Sequence, residues 1–252
     1  MIYAIGDIHG QYDKLRRLLR RLDEAGLCPE DRLVFVGDYV DRGPETARVL
    51  DFLCQYKLDR PNTVFLRGNH EQMMLDARER FDPSFNGGNP CHNNESGKFW
   101  FVEGGLQTMK SYGTPKRPNW LEYLTSPVKS KVKRWFDIVS AEHWRFLTST
   151  DLEFSQGSYT FVHAGIVPPG KEWKMDNFDA DPRLWIRYEF IGSLSDFGGQ
   201  TVIFGHTPTR DGRPMILPNK VAIDTGAGFG GPLTGVRLPE PYDPAKVEVF
   251  QG

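Results

Sequence analysis

Short apolar runs separated by polar segments dominate the first 80 residues of the chain. Runs of apolar or β-favouring residues at positions 2–5, 33–36 and 63–66 are too short for helices and predict buried strands. Each run leads into a polar loop and then into a segment with helical spacing, the third of them at 72–80. The first helical segment carries one apolar stripe formed by Leu15, Leu18, Leu19 and Leu22. This threefold order predicts βαβ units and a largely parallel sheet.

The second half of the chain returns to the same pattern. Apolar runs at 159–162, 201–204 and 221–223 each predict a strand that ends in polar residues. Two later segments, 233–238 and 246–250, are expected to form closing strands of a more antiparallel sheet. Strands that alternate with helices in both halves place the chain in the α/β class.

The region between the two strand-rich halves has a different composition. Residues 82–97 are rich in Ser, Asn, Gly and Pro and predict a surface loop, in which Cys91 and His92 are expected to be ordinary loop residues. Residues 98–150 are helical and aromatic in pattern. Their large side chains are expected to pack a helical subdomain on the sheet edge, with a substrate-groove wall as the alternative. These side chains are Trp120, Trp135, Phe136, Trp144 and Phe146.

Composition and charge restrict the class of protein. With 252 residues, the chain can form one large domain, and its net charge of −2 provides no global field for nucleic acid or an anionic membrane. Three cysteines are an odd number without a CxxC pair, which argues for a reducing compartment. No run approaches the length of a membrane span, and the N-terminus has no signal-peptide pattern. We therefore expect a cytoplasmic protein, and no feature encodes an oligomeric state.

Side chains that can ligate a metal follow the predicted strands at their carboxyl ends. Four of the six histidines and three further residues lie there: Asp7, His9, Asp38, Asn69, His70, His163 and His206. Ligands of α/β sheets bind beyond the carboxyl ends of the strands, so these groups are expected to converge. A set of Asp, His and Asn without Cys favours manganese, iron or zinc in a catalytic role. The pattern predicts a metal-dependent hydrolytic site.

Asp38 is expected to be the centre of that site. Gly37 allows a sharp turn after the strand and places Asp38 at the strand edge. A carboxylate has two oxygens and can bridge two cations, which would then lie about 3.5–4 Å apart and activate a water as the nucleophile. Because that water is the nucleophile, a side-chain nucleophile is not needed. This agrees with the sequence, in which neither a Ser-His-Asp nor a Cys-His arrangement stands out and no GxSxG or CxxxxxR motif is expected.

Five short motifs strengthen this interpretation. They are GDIHG at 6–10, GDYVDRG at 37–43, GNHE at 68–71, HAG at 163–165 and GHT at 205–207. Together they resemble the signature blocks of the PPP-type phosphoprotein phosphatases, within the calcineurin-like metallophosphoesterases. The similarity spans about residues 3–234 and includes weaker bacterial-type features at Gly104-Gly105 and 111–113. It implies a four-layer α/β/β/α sandwich of two mixed sheets, in a single domain over 1–252 with a helical insertion at about 98–150.

The same resemblance implies a set of metal ligands. One cation would be held by Asp7, His9 and Asp38, and the other by Asp38, Asn69, His163 and His206. The cofactor is therefore expected to be two divalent cations, with manganese preferred and iron or zinc as alternatives.

Phosphate-binding residues are also implied. Arg42 is one candidate because a guanidinium fork suits phosphate, and Asn69 is expected to contact the phosphate as well. Arg187 and Arg183 compete for the second arginine role. Arg187 is preferred, because it follows Trp185 as the family's second phosphate-binding arginine follows a tryptophan.

The leaving alkoxide of a phosphoester needs a proton. His70 resembles the family's general acid, with Asp41 orienting it and raising its pKa. The alternative for Asp41 is a loop-capping residue that bonds its own backbone.

Three functions are compatible with these residues. The leading hypothesis is a serine/threonine-type protein phosphatase or a broad phosphomonoesterase, whose partner is a phosphoprotein or a small phosphoester. The runner-up is a symmetrical bis(5'-nucleosyl)-tetraphosphatase that acts on diadenosine tetraphosphate. Asp41 and Glu71 favour the first, because relatives of the second type often lack the aspartate and carry GNHD. The third is a phosphate-binding scaffold without activity.

Overall fold

The computed structural model describes residues 1–82, 84–85, 96–113, 128–175 and 180–252. Cys91, His92 and Trp120 lie outside these ranges, as does most of the predicted loop at 82–97. Within the described part of the chain, every helix is too short or too polar to cross a bilayer.

Two five-stranded sheets form the centre of the molecule. In chain order the strands are β1 Ile2–Ile5, β2 Arg32–Phe35, β3 Thr63–Phe65, β4 Glu153–Gln156, β5 Tyr159–Val162, β6 Thr201–Phe204, β7 Met215–Leu217, β8 Lys220–Ala222, β9 Thr234–Leu238 and β10 Glu248–Gln251. The first sheet has the order β10-β9-β1-β2-β3 and the second the order β4-β5-β6-β8-β7. Both sheets are mixed, since parallel central strands carry antiparallel neighbours.

The closing strands β9 and β10 are antiparallel, as expected, but they belong to the first sheet. β9 pairs with β1, with Ile2 opposite Leu238, and β10 pairs with β9. The C-terminal end of the chain therefore completes the sheet with which the chain begins. Strand β4 was not predicted, because its residues are largely exposed and do not form an apolar run. Strand β7 was not predicted, because its apolar run is only three residues long and half-buried.

Helices surround the two sheets. The larger ones are α1 Tyr12–Glu24, α2 Thr46–Asp59, α3 Asn69–Phe81 and α4 Leu106–Tyr112, followed by Val128–Phe136 and Ala141–Thr148. Two short helices, Pro182–Trp185 and Tyr188–Ile191, belong to the second half. Helix α3 begins three residues earlier than the sequence predicted, so Asn69 and His70 lie in its first turn.

Alternating side chains of the strands separate the core into layers. Tyr3 and Ile5 of β1 face the helices, whereas Ile2 and Ala4 face the second sheet. In β6, Ile203 packs between the sheets, and its neighbours pack with Phe190 on the outer face. The predicted four-layer α/β/β/α sandwich is therefore confirmed, with an outer layer on the second sheet that contains short helices.

The aromatic residues of the middle region lie in the core. Trp135, Phe136, Trp144 and Phe146 are buried in the cluster that covers the helical face of the first sheet, as the sequence predicted. Ser140 caps the helix Ala141–Thr148 by accepting a hydrogen bond from the backbone N–H of His143. The description of this region as an insertion in a single domain remains a prediction.

Candidate active site and metal centre

The six predicted metal ligands and the predicted acid His70 converge at the carboxyl ends of β1, β2, β5 and β6 and at the first turn of α3. All seven side chains are buried: Asp7, His9, Asp38, Asn69, His70, His163 and His206. They come from loops that follow parallel strands of both sheets, so the site lies where the two sheets meet. The polar residues that follow the strands in the sequence thus lie close together in the structure, as expected for the carboxyl ends of neighbouring parallel strands.

The backbone at this site is strained. Five non-glycine residues here have positive φ angles: His9 at 47°, Asp38 at 54°, Asp41 at 72°, Arg42 at 63° and His206 at 64°. Left-handed conformations are uncommon for residues with a Cβ atom and cluster at functional sites.

Glycines allow the loops of β2 and β3 to approach each other. Gly37 has φ of 106°, as expected for a sharp turn before Asp38. A Cβ atom on Gly68 would lie 2.1 Å from Oδ1 of Asp38, a distance that no real side chain tolerates. The Asp38 carboxylate therefore sits directly against the N-terminus of α3, where its Oδ1 accepts a hydrogen bond from the backbone N–H of His70.

Asp38 lies between two groups of potential ligands. Its Oδ2 is 3.4 Å from Nε2 of His9 and 4.0 Å from Nε2 of His70. Its Oδ1 is 3.4 Å from Nε2 of His163, and His206 completes the second group. Within each group the ligand atoms lie within 4.8 Å of one another. The two carboxylate oxygens thus face two different sets of imidazoles, which is the geometry required of a bridging ligand.

The donor atoms of the site fit divalent cations. Nδ1 of His9 donates to the carbonyl of Val40 at 2.8 Å, and Nδ1 of His163 donates to that of Val36 at 2.9 Å. In each neutral ring, Nε2 therefore carries a lone pair on the side of Asp38, and that of His9 also accepts a hydrogen bond from Arg42. Nε2 of His163 also faces Oδ1 of Asn69 at 2.9 Å, so two acceptors meet without a proton between them. Two lone pairs at this distance repel each other, and a cation bound between them would remove the repulsion.

Unpartnered atoms support the same conclusion. Among the described residues, Oδ1 of Asp7 and Nε2 of His206 are buried without a hydrogen-bond partner. The other oxygen of Asp7 accepts from the backbone N–H of His206 at 2.9 Å, and Nδ1 of His206 is 2.9 Å from Oδ1 of Asn69. Asp7 thus lies beside His206 at this site. Its membership of the ligand set of the first cation remains a prediction.

The pKa shifts separate the four histidines of the site. Burial lowers the pKa of His9, His163 and His206, which keeps these rings neutral and suited to ligation. Burial also opposes protonation of His70, but the charges of Asp38 and Asp41 outweigh it, so the pKa of His70 is raised. Of the four rings, His70 is the one suited to carry a proton.

His70 forms a close pair with Asp41. Its Nδ1 lies 2.7 Å from Oδ2 of Asp41, and both side chains are buried. The His70 ring also packs edge-to-face against His9, with centroids 4.7 Å apart. Burial raises the pKa of Asp41, while its bond to His70 opposes that rise. The structure thus brings together the predicted acid and its predicted partner.

Two of the three candidate arginines lie at the site. Arg42 donates a hydrogen bond to Nε2 of His9, and its guanidinium lies 4.6 Å from the ring centroid of Phe229. Arg187 donates to the backbone carbonyl of His206 at 2.9 Å. Arg183 instead pairs with Asp181 at 2.6 Å, in a groove away from the histidines. This placement favours Arg187 over Arg183 as the second phosphate ligand.

Glu71 has a structural role that was not predicted from the sequence. Its buried carboxylate accepts four backbone N–H groups, from Asp38, Tyr39, Val40 and Gly68, at 2.7–3.1 Å. Burial and the charge of Asp38 raise its pKa to about 7, while these donors favour the ionised form. The position of Glu71 three residues after Gly68 has the capping-box spacing, which could have indicated this role.

Asp224 is a second residue that was not assigned. It follows β8, is buried, and receives a hydrogen bond from the backbone N–H of Gly226 at 2.9 Å. Burial, with the charge of Asp38, raises the pKa of Asp224 to about 6, and Asp224 in turn raises the pKa of Asp7. Its place at a strand end is the same signal that identified Asp7.

One sequence expectation was wrong. Cys54 and Arg60 do have the CxxxxxR spacing of a cysteine nucleophile and its phosphate-binding arginine. Cys54, however, lies inside helix α2, and burial raises the pKa of its thiol to about 12. Arg60 pairs with Asp23 at 3.2 Å. The spacing is therefore coincidental, because a nucleophilic thiolate needs a lowered pKa and a loop of phosphate donors.

The motifs and the paired ligand groups agree with a comparison to protein families. A family model described as calcineurin-like phosphoesterase matches residues 1–210. The chain belongs to this family. Calcineurin-like phosphoesterases hydrolyse phosphoesters and use a dinuclear metal centre, for which the groups around Asp38 provide candidate ligands.

Relatives of this phosphoesterase carry two kinds of name. Serine/threonine-protein phosphatase 1 of Salmonella typhimurium is 29% identical over 239 residues, which cover 94% of this chain and 91% of that protein. The asymmetrical bis(5'-nucleosyl)-tetraphosphatase PrpE of Bacillus velezensis is 27% identical over 280 residues, which cover 98% and 97%. The two similarities are nearly equal, so they leave the substrate of this phosphoesterase open.

Solved structures share the fold. A cold-active protein-tyrosine phosphatase of a psychrophilic Shewanella has a TM-score of 0.56 at 20% identity, over 99% of this chain and 80% of that one. A protein serine/threonine phosphatase from Saccharomyces cerevisiae has a TM-score of 0.53 at 17% identity, over 100% and 79%. At these identities the likeness concerns the fold alone.

Proposed function

We propose that the chain is a metal-dependent phosphomonoesterase that acts on phosphoserine and phosphothreonine in proteins. The observation that carries this proposal is the buried pair of His70 and Asp41, in which the pKa of His70 is raised. An alkoxide is a poor leaving group and needs a proton from a general acid. A nucleotide phosphate leaves without one, so this pair favours an ester over an anhydride substrate.

Two divalent cations, with manganese preferred, are part of this proposal. Asp7, His9 and Asp38 would hold one cation. Asp38, Asn69, His163 and His206 would hold the other. When bound, the cations supply an activated water and neutralise charge on the phosphoryl group.

The remaining residues act on the substrate. Arg42, beside His9, and Arg187, beside His206, bind the phosphoryl oxygens through their guanidinium groups. Asn69 contributes its amide to the same group. His70 donates the proton from Nε2 to the leaving oxygen, because its Nδ1 is held by Asp41. Asp41 keeps the ring oriented and favours its protonated form.

A dinucleoside tetraphosphatase is the second candidate. The supporting observation is the similarity to PrpE proteins over nearly the whole chain, at an identity close to that of the protein phosphatase. Those relatives are named asymmetrical, whereas symmetrical cleavage was the alternative expected from the sequence. The same metal ligands and arginines would serve an anhydride, but the acid would not be required.

One assay separates these candidates. The purified protein with added manganese is tested on a phosphoserine peptide, on p-nitrophenyl phosphate and on diadenosine tetraphosphate. We expect turnover of the first two. Exclusive cleavage of the dinucleotide would favour the second candidate, and its products, two ADP or ATP with AMP, would identify the cleavage as symmetrical or asymmetrical. No turnover of any substrate would support a phosphate-binding scaffold.

A further inference from the structure

Two side chains outside the five motifs hold the carboxylate of Asp41. Nε1 of Trp100 donates to its Oδ1 at 3.1 Å, and the Thr108 hydroxyl donates to the same oxygen at 2.7 Å. The Thr108 hydroxyl also accepts from the backbone N–H of Asp41 at 2.9 Å. All three side chains are fully buried. Asp41 is thus fixed from two directions without contact with water.

These contacts decide which oxygen of Asp41 faces His70. Because Oδ1 already accepts two hydrogen bonds, Oδ2 is left for Nδ1 of His70 at 2.7 Å. A carboxylate with one such donor fewer could rotate and weaken this bond. Nε2 of His70, 4.0 Å from Asp38, would then lose its fixed direction toward the metal groups. The orientation of His70 therefore depends on atoms that do not touch it.

The segment that carries these donors is fitted closely to the Asp41 loop. Trp100 and Thr108 flank the helical turn Phe101–Gly105. Gly104 has φ of 125°, and a Cβ atom there would lie 2.8 Å from the backbone nitrogen of Arg42. Only a residue without a side chain allows this approach. This close fit fixes the positions of both donors relative to Asp41.

We infer that Trp100 and Thr108 are positioning residues for proton donation by His70, acting through Asp41. This inference rests on the proposed phosphomonoesterase function. The hydrogen bonds of both side chains go to Asp41, with a further one between Thr108 and Thr46, and none of these partners is a predicted metal ligand or phosphate-binding arginine. Their loss should therefore slow the protonation of the leaving group and leave substrate binding intact.

Aryl phosphates provide the test, because their leaving groups differ in basicity. Nitrophenolate leaves readily without an acid, whereas the more basic phenolate depends on one. A general acid contributes about 10²–10⁴-fold, so the loss of one of two supports should cost roughly tenfold. For Thr108→Val and Trp100→Phe we expect this loss in kcat on phenyl phosphate, a change of about twofold or less on p-nitrophenyl phosphate, and unchanged KM.

Matched variants control for packing. Thr108→Ser keeps the hydroxyl and should show the wild-type ratio of kcat on phenyl phosphate to kcat on p-nitrophenyl phosphate. Trp135→Phe removes a buried indole from the same aromatic cluster, whose Nε1 donates to the backbone carbonyl of Met109. It should leave the ratio unchanged. If Thr108→Val does not fold, the kinetics of Trp100→Phe alone test the inference, since this variant removes a single N–H donor and keeps a buried aromatic ring.

A second measurement does not depend on turnover. In proton NMR spectra of the zinc-loaded protein, whose metal is diamagnetic, the hydrogen-bonded Nδ1–H of His70 should give a downfield resonance that is absent from His70→Asn. We expect Thr108→Val and Trp100→Phe to shift or broaden it, and Thr108→Ser and Trp135→Phe to preserve it. A wild-type protein without phosphatase activity would refute the proposed function, while these shifts would still establish the positioning. Equal losses on both substrates, or an unchanged resonance in an active enzyme, would overturn the inference.

Discussion

The two sheets contribute to the site in different ways. On the first sheet, the loop of Asp38 is held by three hydrogen bonds to Glu71 and by the N-terminus of α3. On the second, His163 is tied to the carbonyl of Val36, and His206 donates through its backbone to Asp7. The first side is thus fixed by its own loops, whereas the second is fixed by bonds to the first.

The proposed chemistry divides along the same line. His70 and Asp41 lie entirely on the first-sheet side, together with the helical segment that supports them. Arg187 and His206 lie on the second-sheet side. Asp38 is the side chain that faces ligands from both. Proton donation should therefore depend on one side alone, and metal binding on the contact between the two.

The largest effect is expected at the residue shared by both sides. Asp38→Asn removes the charge that faces both ligand groups, so turnover should fall to background and metal content should decrease. Kinetic assays and elemental analysis of the purified variant measure the two effects. Retention of two cations and activity would mean that the two sides do not meet at Asp38.

Removal of the acid should affect the first side alone. His70→Asn is expected to slow phosphoester hydrolysis by about 10²–10⁴-fold, because the leaving group is no longer protonated. Both cations should remain bound, as elemental analysis would show. Lost metal in this variant would identify His70 as a ligand, in line with its place in the group with His9 and Asp38.

The hydrogen bonds of the Asp38 loop give the next prediction. Glu71→Gln replaces one acceptor oxygen by an amide nitrogen, which cannot accept the backbone N–H groups. We expect an activity loss of about 10–100-fold and a decrease of about 1–3 kcal/mol in the free energy of unfolding. Denaturant titration measures the latter. Glu142→Gln, on an exposed helix position, is the matched control and should change neither quantity.

The smallest expected effect tests the second side. Arg187→Ala removes a charged phosphate contact, so KM and the inhibition constant for phosphate should rise about tenfold, while kcat changes less. Arg183→Ala, whose side chain pairs with Asp181 instead, should behave as the wild type. If Arg183→Ala raised KM and the inhibition constant for phosphate more than Arg187→Ala, the wrong arginine would have been assigned to the site.

The sequence predicted what short-range patterns encode. Short apolar runs identified most strands, and the polar residues at strand ends identified the candidate ligands that the structure brings together. Strand β4 was not predicted, because Glu153–Gln156 is an exposed edge strand without an apolar run. The sheet to which β9 belongs could not be predicted either, because its pairing with β1 joins residues more than 200 positions apart. No local pattern records such a contact.

Residue roles that depend on long-range contacts could not be predicted either. Trp100 and Thr108 reach Asp41 across 59 and 67 positions, and nothing in their own sequence neighbourhood distinguishes them from core residues. The preference for Arg187 over Arg183 came from the resemblance, and the position of Arg187 beside His206 in space supports it.

By itself, the sequence determined the α/β class, the candidate ligands at the strand ends and the family, because each depends on residue type and spacing along a few consecutive positions. Tertiary structure alone decided the contacts that separate His70, which the resemblance assigned as the acid, from the three rings that it assigned as ligands. The physical reason is that all four rings are equally buried. Their pKa values diverge only through neighbours, such as Asp41 beside His70, that folding brings from distant parts of the chain.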